Sequence, residues 1–180
     1  MKISVIADSV AMPRQENPDY IFYNETWPVK LINNLRDKVS AELCLLNDSK
    51  RRSTSESLEN RSYEVIDCFN PDYIIIQIGI VDCAPRIFSL NERYLLNKWF
   101  IPNQFRNKII SKRRLIRKKV IGEKPMNKIY VKPDKYLLNF KRFIEKIYNY
   151  NSSTKVIVIP ILADYKVLDS KSPGFSSNIK

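Results

Sequence analysis

The run YIIIQI at residues 73–78 restricts the fold more than any other feature of this chain. Its side chains are almost all apolar and β-branched, with no polar face, and the run is too short for a typical helix. A parallel strand covered on both sides has this pattern. Three more runs read as strands: ISVIA at 3–7, ELCLLN at 42–47 and KVIVIPI at 155–161. Helical patterns separate them. Thr26 is placed to cap a helix with Pro28 in its first turn and Leu31, Leu35 and Val39 at helical spacing. A second helix is predicted over 56–68, broken at Pro71. A third follows Pro133, with Leu137, Phe140, Ile144 and Ile147 on one face. Strands alternating with helices predict an α/β three-layer sandwich with a mostly parallel sheet.

One domain spanning 1–180 suffices for 180 residues, and a 44% hydrophobic composition with 10 Tyr and 8 Phe argues against disorder. With only 3 Gly, a glycine-rich phosphate loop is excluded. No apolar run approaches the roughly 20 residues of a membrane span, and the first residues lack a signal-peptide pattern. The expectation is a cytoplasmic protein that does not cross a membrane. Cys44, Cys68 and Cys83 are too widely spaced for a zinc site or a disulfide framework, so buried thiols are predicted.

The formal charge of +12 is local. Between Arg93 and Gly122 lie ten basic residues and no acidic one, which leaves +2 (12 minus 10) for the remainder. Residues 93–132 therefore read as a basic helical insertion, with Phe105, Ile109, Ile116 and Val120 near one face and the cations on the other. Such a helix could cover a site as a lid. It could also dock on an anionic glycan, lipid head group or membrane surface. A nucleic-acid-binding role for the 106–119 helix is a third reading, but no base-reading motif accompanies the charge, so no specific nucleic-acid partner is expected.

In parallel α/β sheets, ligands sit beyond the carboxyl ends of the strands. Two segments fall on that edge, ADSVAMPR (7–14) after the first strand and QIGIVDCAPR (77–86) after the third. Together they resemble the SGNH, or GDSL-type, hydrolases, and in particular a branch found among bacterial polysaccharide-locus enzymes. The closing KSPGFSSNI (171–179) is similar to the segment before that branch's last strand. The resemblance implies a flavodoxin-like SGNH fold, C-terminally incomplete here, with 168–180 leading toward a final strand that is absent.

It also implies roles. Ser9 matches the nucleophile and Asp8 the residue before it, with Ala7 where glycine is usual. The Ser9 N–H would be one oxyanion donor. Gly79 and Asp82 match the ends of the Gly-x-Asn-Asp block, and Val81 stands at the asparagine position. The second-block glycine has no counterpart in NDSKRRSTSES (47–57), where Arg52, Ser53 and Thr54 all remain candidates for that place. Arg14 and Arg86, each after a proline, are candidates for gripping a carboxylate or phosphate.

Each residue also has a plainer reading. Ser9 at a strand end fits a turn or a helix cap, Asp82 fits a cap or a loop tether, and the two arginines fit surface ion pairs. The chain contains 0 His, whereas the resembled family takes its base from a C-terminal Asp-x-x-His motif. Neither Lys166 nor Lys171 is placed near Ser9 by anything in the sequence. Loss of the histidine costs such a unit several orders of magnitude in rate. The expected function is thus a serine esterase acting on O-acyl groups of carbohydrate, impaired as this chain stands. A glycan- or anion-binding protein without catalysis is the competing class. No metal and no organic cofactor are implied.

Overall fold

The computed structural model describes residues 1–15, 20–84, 88–97, 101–120 and 129–160. The chain divides into two units, Met1–Val81 with Pro133–Ile161, and Asp82–Lys132 with Leu162–Lys180.

The first unit is built on a four-stranded sheet of β1 (Lys2–Ala7), β2 (Cys44–Ser49), β3 (Tyr73–Gln77) and β4 (Lys155–Val158). The strand order is β2-β1-β3-β4 and every pairing is parallel. These are the first four places of the flavodoxin-like order 2-1-3-4-5. Side chains alternate across the sheet with period two. Ile6, Ile74 and Ile76 join Leu58, Val65, Phe140, Phe143 and Ile147 in one core. Ile3, Val5, Ala7 and Ile75 join Ala11 and Ile32 in the other. The first core lies under α2 (Leu58–Ser62) and α6 (Pro133–Tyr150), and the second under α1 (Trp27–Arg36). Cover on both faces is why β3 reads as an almost continuous apolar run and β1 as one interrupted only by the small, buried Ser4. Full burial of a side chain such as Ile6 or Phe143 is worth about 2–3 kcal/mol. The α/β sandwich with a parallel sheet is therefore present as expected.

Several expectations shift in detail. β2 starts two residues later than ELCLLN suggests and keeps the polar Asp48 and Ser49, because their backbones pair with Ile6 and Ala7. The helix predicted over 56–68 is a 3₁₀ turn (Ser55–Ser57), then α2, then a wider π-helical stretch (Tyr63–Cys68). Asn70, at φ 46°, unwinds the chain before Pro71. In α6 the buried residues are Phe140, Phe143 and Ile147, while Leu137 is exposed. Ile161, expected to end the fourth strand, lies outside the described residues. Thr26 caps α1 in position, but its hydroxyl donates back to the Tyr23 carbonyl at 2.7 Å. The thiols are not all buried: Cys44, on the sheet-edge strand β2, and Cys68 are exposed, and Cys83 is half-buried.

In the second unit, α4 (Leu90–Leu96) and α5 (Asn103–Val120) are the main elements. Ser89 and Glu92 form a reciprocal cap at the start of α4. Ser89 N–H donates to Glu92 Oε2 at 2.7 Å, and Glu92 N–H to Ser89 Oγ at 3.3 Å. Phe105, expected on the covered face of α5, is 59% exposed. The half-buried residues there are Arg106, Ile109, Ile110 and Arg113, and the side chains of Ile116 and Val120 lie outside those described. No described helix is long and apolar enough to cross a membrane.

Candidate active site

β1 ends at Ala7, one place from the middle of the sheet, and the chain turns at once into a single 3₁₀ turn, Ser9–Ala11. Asp8 caps that turn, its Oδ1 accepting from Val10 N–H at 2.9 Å. Asp8 N–H reaches across to the Gln77 carbonyl at 3.3 Å, which ties the turn to the end of β3. Ser9, the first residue of the turn, is half-buried, and its Oγ makes no hydrogen bond to another described residue. The sequence thus places a hydroxyl at the carboxyl end of a central strand, presented by a turn whose geometry Asp8 holds.

Asp8 itself is only 1% exposed. Burial raises its carboxyl above the usual carboxylate range, with the Val10 N–H and then the positive charge of Arg14 offsetting part of the effect. Arg14 is half-buried, and its backbone pairs with Ile21 through reciprocal bonds of 3.0 and 2.9 Å.

The loop after β2 shares this rim. Lys50 N–H donates to the Ala7 carbonyl at 3.1 Å, and Arg51 Nη2 to the Pro13 carbonyl at 3.5 Å. The next residue, Arg52, sits at φ 62°, a left-handed conformation that ordinarily favours glycine. Of the three candidates for the second-block place, Arg52 is the one with glycine-like backbone.

An arrangement the sequence did not announce holds this loop. Arg61 is 2% exposed, yet it carries a guanidinium. Its Nη1 donates to the Asp48 carbonyl at 2.8 Å and lies 3.5 Å from Asp48 Oδ2, while its Nη2 donates to Ser53 Oγ at 2.5 Å. Ser53 Oγ also shares a 2.8 Å hydrogen bond with Ser57 Oγ. Burial lowers the Arg61 pKa, and Asp48 and then Glu64 oppose that shift. A signal existed: Leu58, Arg61 and Val65 fall at i, i+3 and i+7 of the helix predicted over 56–68, which puts an arginine on its apolar stripe.

After β3, Gly79 adopts φ 139°, a conformation available to glycine, and is buried. The Ile78 carbonyl just before it accepts from Tyr136 Oη at 2.9 Å. Gln77 Oε1 is buried without a hydrogen-bond partner among the described residues. Val81 is buried. Asp82 opens the second unit inside the single turn α3 (Ile80–Cys83), so it does not cap that turn. It is 1% exposed, and its carbonyl accepts from Tyr130 N–H at 3.2 Å and Val131 N–H at 3.5 Å. Arg86 lies outside the described residues. Among the described residues no group of His, Cys, Asp and Glu could hold a metal ion.

Solved structures give the fold a counterpart. TesA aligns over 99% of this chain and 68% of its own at 13% identity, with a TM-score of 0.58. TesA shares this fold. LAE5, an alpha/beta hydrolase enzyme from the metagenome of Lake Arreo, Spain, aligns over 99% of this chain and 70% of its own at 16% identity, with a TM-score of 0.47. A catalytic mutant of Axe2, an acetylxylan esterase from Geobacillus stearothermophilus, aligns over 94% and 80% at 16% identity and a TM-score of 0.38. Identity this low speaks for architecture alone, and the two alignments below 0.5 carry no weight. No protein-family model matches the chain, and no curated protein does.

Proposed function

We propose that this chain is an SGNH-like serine acyl hydrolase whose site is the rim formed by the ends of β1, β2 and β3. The observation that carries the reading is Ser9: a half-exposed hydroxyl on a capped turn at the end of a central parallel strand, with no competing hydrogen bond among the described residues. Ser9 Oγ attacks an ester carbonyl and its proton passes to a base. The alkoxide of the tetrahedral intermediate accepts hydrogen bonds from the Ser9 N–H and from the Arg52 N–H, whose left-handed backbone suits that place. The alcohol leaves with a proton, and water releases the acid from the acyl-enzyme. Gly79 supports the third side of the site and Arg14 is the candidate there for holding an anionic part of the substrate; for Asp82 a supporting role, and for Arg86 an anion-holding role, are what the resemblance implies. The substrate class, an O-acyl group on carbohydrate, follows from the polysaccharide-locus resemblance of ADSVAMPR and QIGIVDCAPR. The basic 93–132 segment adds contact with an anionic surface. All of it belongs to one domain, with that segment inserted.

The base is the weak point. With 0 His, this chain cannot supply the usual imidazole, and turnover is set several orders of magnitude below that of a complete unit. The same absence favours a second reading, a binder that keeps the pocket without the reaction. Hydrolysis of p-nitrophenyl acetate by the wild type and by Ser9→Ala separates them. A slow, saturable rate that disappears in Ser9→Ala is expected. A rate identical in both proteins, alongside measurable affinity for an acetylated oligosaccharide, would leave only the binder.

A further inference from the structure

Helix α5, NQFRNKIISKRRLIRKKV, carries four Arg and four Lys and no acidic residue. Its two faces differ. Arg113 faces its own unit: Nη1 lies 2.9 Å from Glu92 Oε1, and the guanidinium carbon sits 4.9 Å from the Phe88 ring centre. Arg106, Ile109 and Ile110 are half-buried on that side. Phe105, Lys108, Lys112 and Leu115, spaced three, four and three residues apart, form a single outward stripe roughly 15 Å long. Lys108 and Lys112 are exposed, and Phe105 and Leu115 are 59% and 62% exposed. Lysine keeps its charge in water while its stem lies along hydrocarbon, so exposed lysines between large bare apolar side chains suit the head-group boundary of a membrane.

We propose that the Phe105–Lys108–Lys112–Leu115 stripe docks on a bilayer bearing anionic phospholipid, the lysines at the head groups and the two apolar side chains beneath them. This names the partner for the anionic-surface contact above and rests on that part of the reading, but not on the chemistry of Ser9. A nucleic acid or a sulfated glycan would satisfy the lysines, yet it would give Phe105 and Leu115 no hydrocarbon to enter. The bilayer accounts for all four residues. Helix α5 then adsorbs without spanning, consistent with the lack of a spanning helix among the described residues.

Co-sedimentation of the full chain with phosphatidylcholine vesicles, with and without phosphatidylglycerol, tests this. Binding is expected only to the anionic vesicles and is weakened by salt. Lys108→Gln with Lys112→Gln should lower the partition coefficient about 30-fold, given the usual worth of a lysine near such a surface. Phe105→Ser with Leu115→Ser should lower it too, while Lys30→Gln with Lys38→Gln, an equal charge change at exposed positions elsewhere, should not. All of these side chains are exposed, so unchanged circular dichroism and melting are expected and checked for each variant. Absence of vesicle binding at low salt overturns the proposal. So does binding that Phe105→Ser with Leu115→Ser leaves intact, or that heparin or duplex DNA abolishes while the same variant keeps its heparin or DNA affinity. Ser9→Ala should bind vesicles like the wild type, so failure of the ester assay and failure of the docking face are read separately.

Discussion

Two cationic regions of this protein treat the same side-chain chemistry in opposite ways. In the sheet unit, several cations are matched to named partners. Arg61 is sealed against Asp48 and Ser53, Lys50 lies 2.9 Å from the other Asp48 oxygen, and Lys135 pairs with Glu56. Along α5 there are eight basic residues and no acid, and among the described residues Glu92 of α4 is an acid that meets it. A buried guanidinium can only serve the fold, because leaving it unpaired costs far more than any surface charge. An exposed lysine constrains the fold little and remains available to a partner. The charge of +12 is thus concentrated in one stretch of the sequence, while the arginine that matters most to the rim lies outside that stretch.

The largest effect should come from breaking the sealed region. Arg61→Ala leaves Asp48 without its buried partner and Ser53 without its donor, and a loss of about 3–5 kcal/mol is expected in urea unfolding. Arg61→Met with Asp48→Leu removes both charges and should lose distinctly less than the single change. If Arg61→Ala cost no more than a typical surface change, about 0.5 kcal/mol, Arg61 would be hydrated as freely as the outer lysines of α5 and the contrast would collapse.

The same contrast explains which parts of the molecule could be read from its letters. β1 and β3 were legible because cover on both faces favours apolar side chains along most of each strand, with buried Ser4 the polar exception inside β1, and Ser9 was legible because a polar pair ends that run. β2 was misplaced because its last residues are chosen by partners far away in sequence: Asp48 by Arg61, and Ser49 by the backbone of Ala7. The outward position of Phe105 was hidden for a related reason. Periodicity identifies a helix with an apolar stripe, but it cannot say whether that stripe faces protein or solvent. Arg52 was visible only as one of three candidates, since a left-handed non-glycine residue leaves no compositional mark.

A smaller effect, with a sign that pH reveals, is expected at Asp8. Its carboxyl binds a proton more tightly folded than unfolded, because burial outweighs the Val10 N–H and Arg14. Stability from this group is therefore fully present below the unfolded value of 3.8 and is lost as pH rises through the higher folded value. Asp8→Asn keeps an oxygen that can accept from Val10 N–H and has no charge to bury. Its melting temperature should exceed the wild type's at pH 7, and the gap should close as pH falls below 3.8. A variant less stable than wild type at neutral pH would mean that the ionised carboxylate is held favourably, and that the rim is more polar than its burial suggests.

The smallest effect tests the inner side of α5. Arg113 and Glu92 have side chains 39% and 30% exposed, so solvent screens the pair and a coupling of about 0.5–1 kcal/mol is expected, with the Phe88 ring adding a little on the arginine side. Glu92→Gln is the informative partner change in a double-mutant cycle with Arg113→Gln, because glutamine can still close the reciprocal cap with Ser89 and only the charge is removed. Added salt should shrink the coupling further. A coupling near the lower end of the roughly 3–5 kcal/mol expected for Arg61→Ala would place Arg113 among the sealed cations, and α5 would then have a buried anchor on one side and an exposed stripe on the other. A coupling in the lower range instead leaves Arg113 a solvent-screened cation, and the outer face of the helix can then be changed at Phe105, Lys108, Lys112 and Leu115 without loss of the fold.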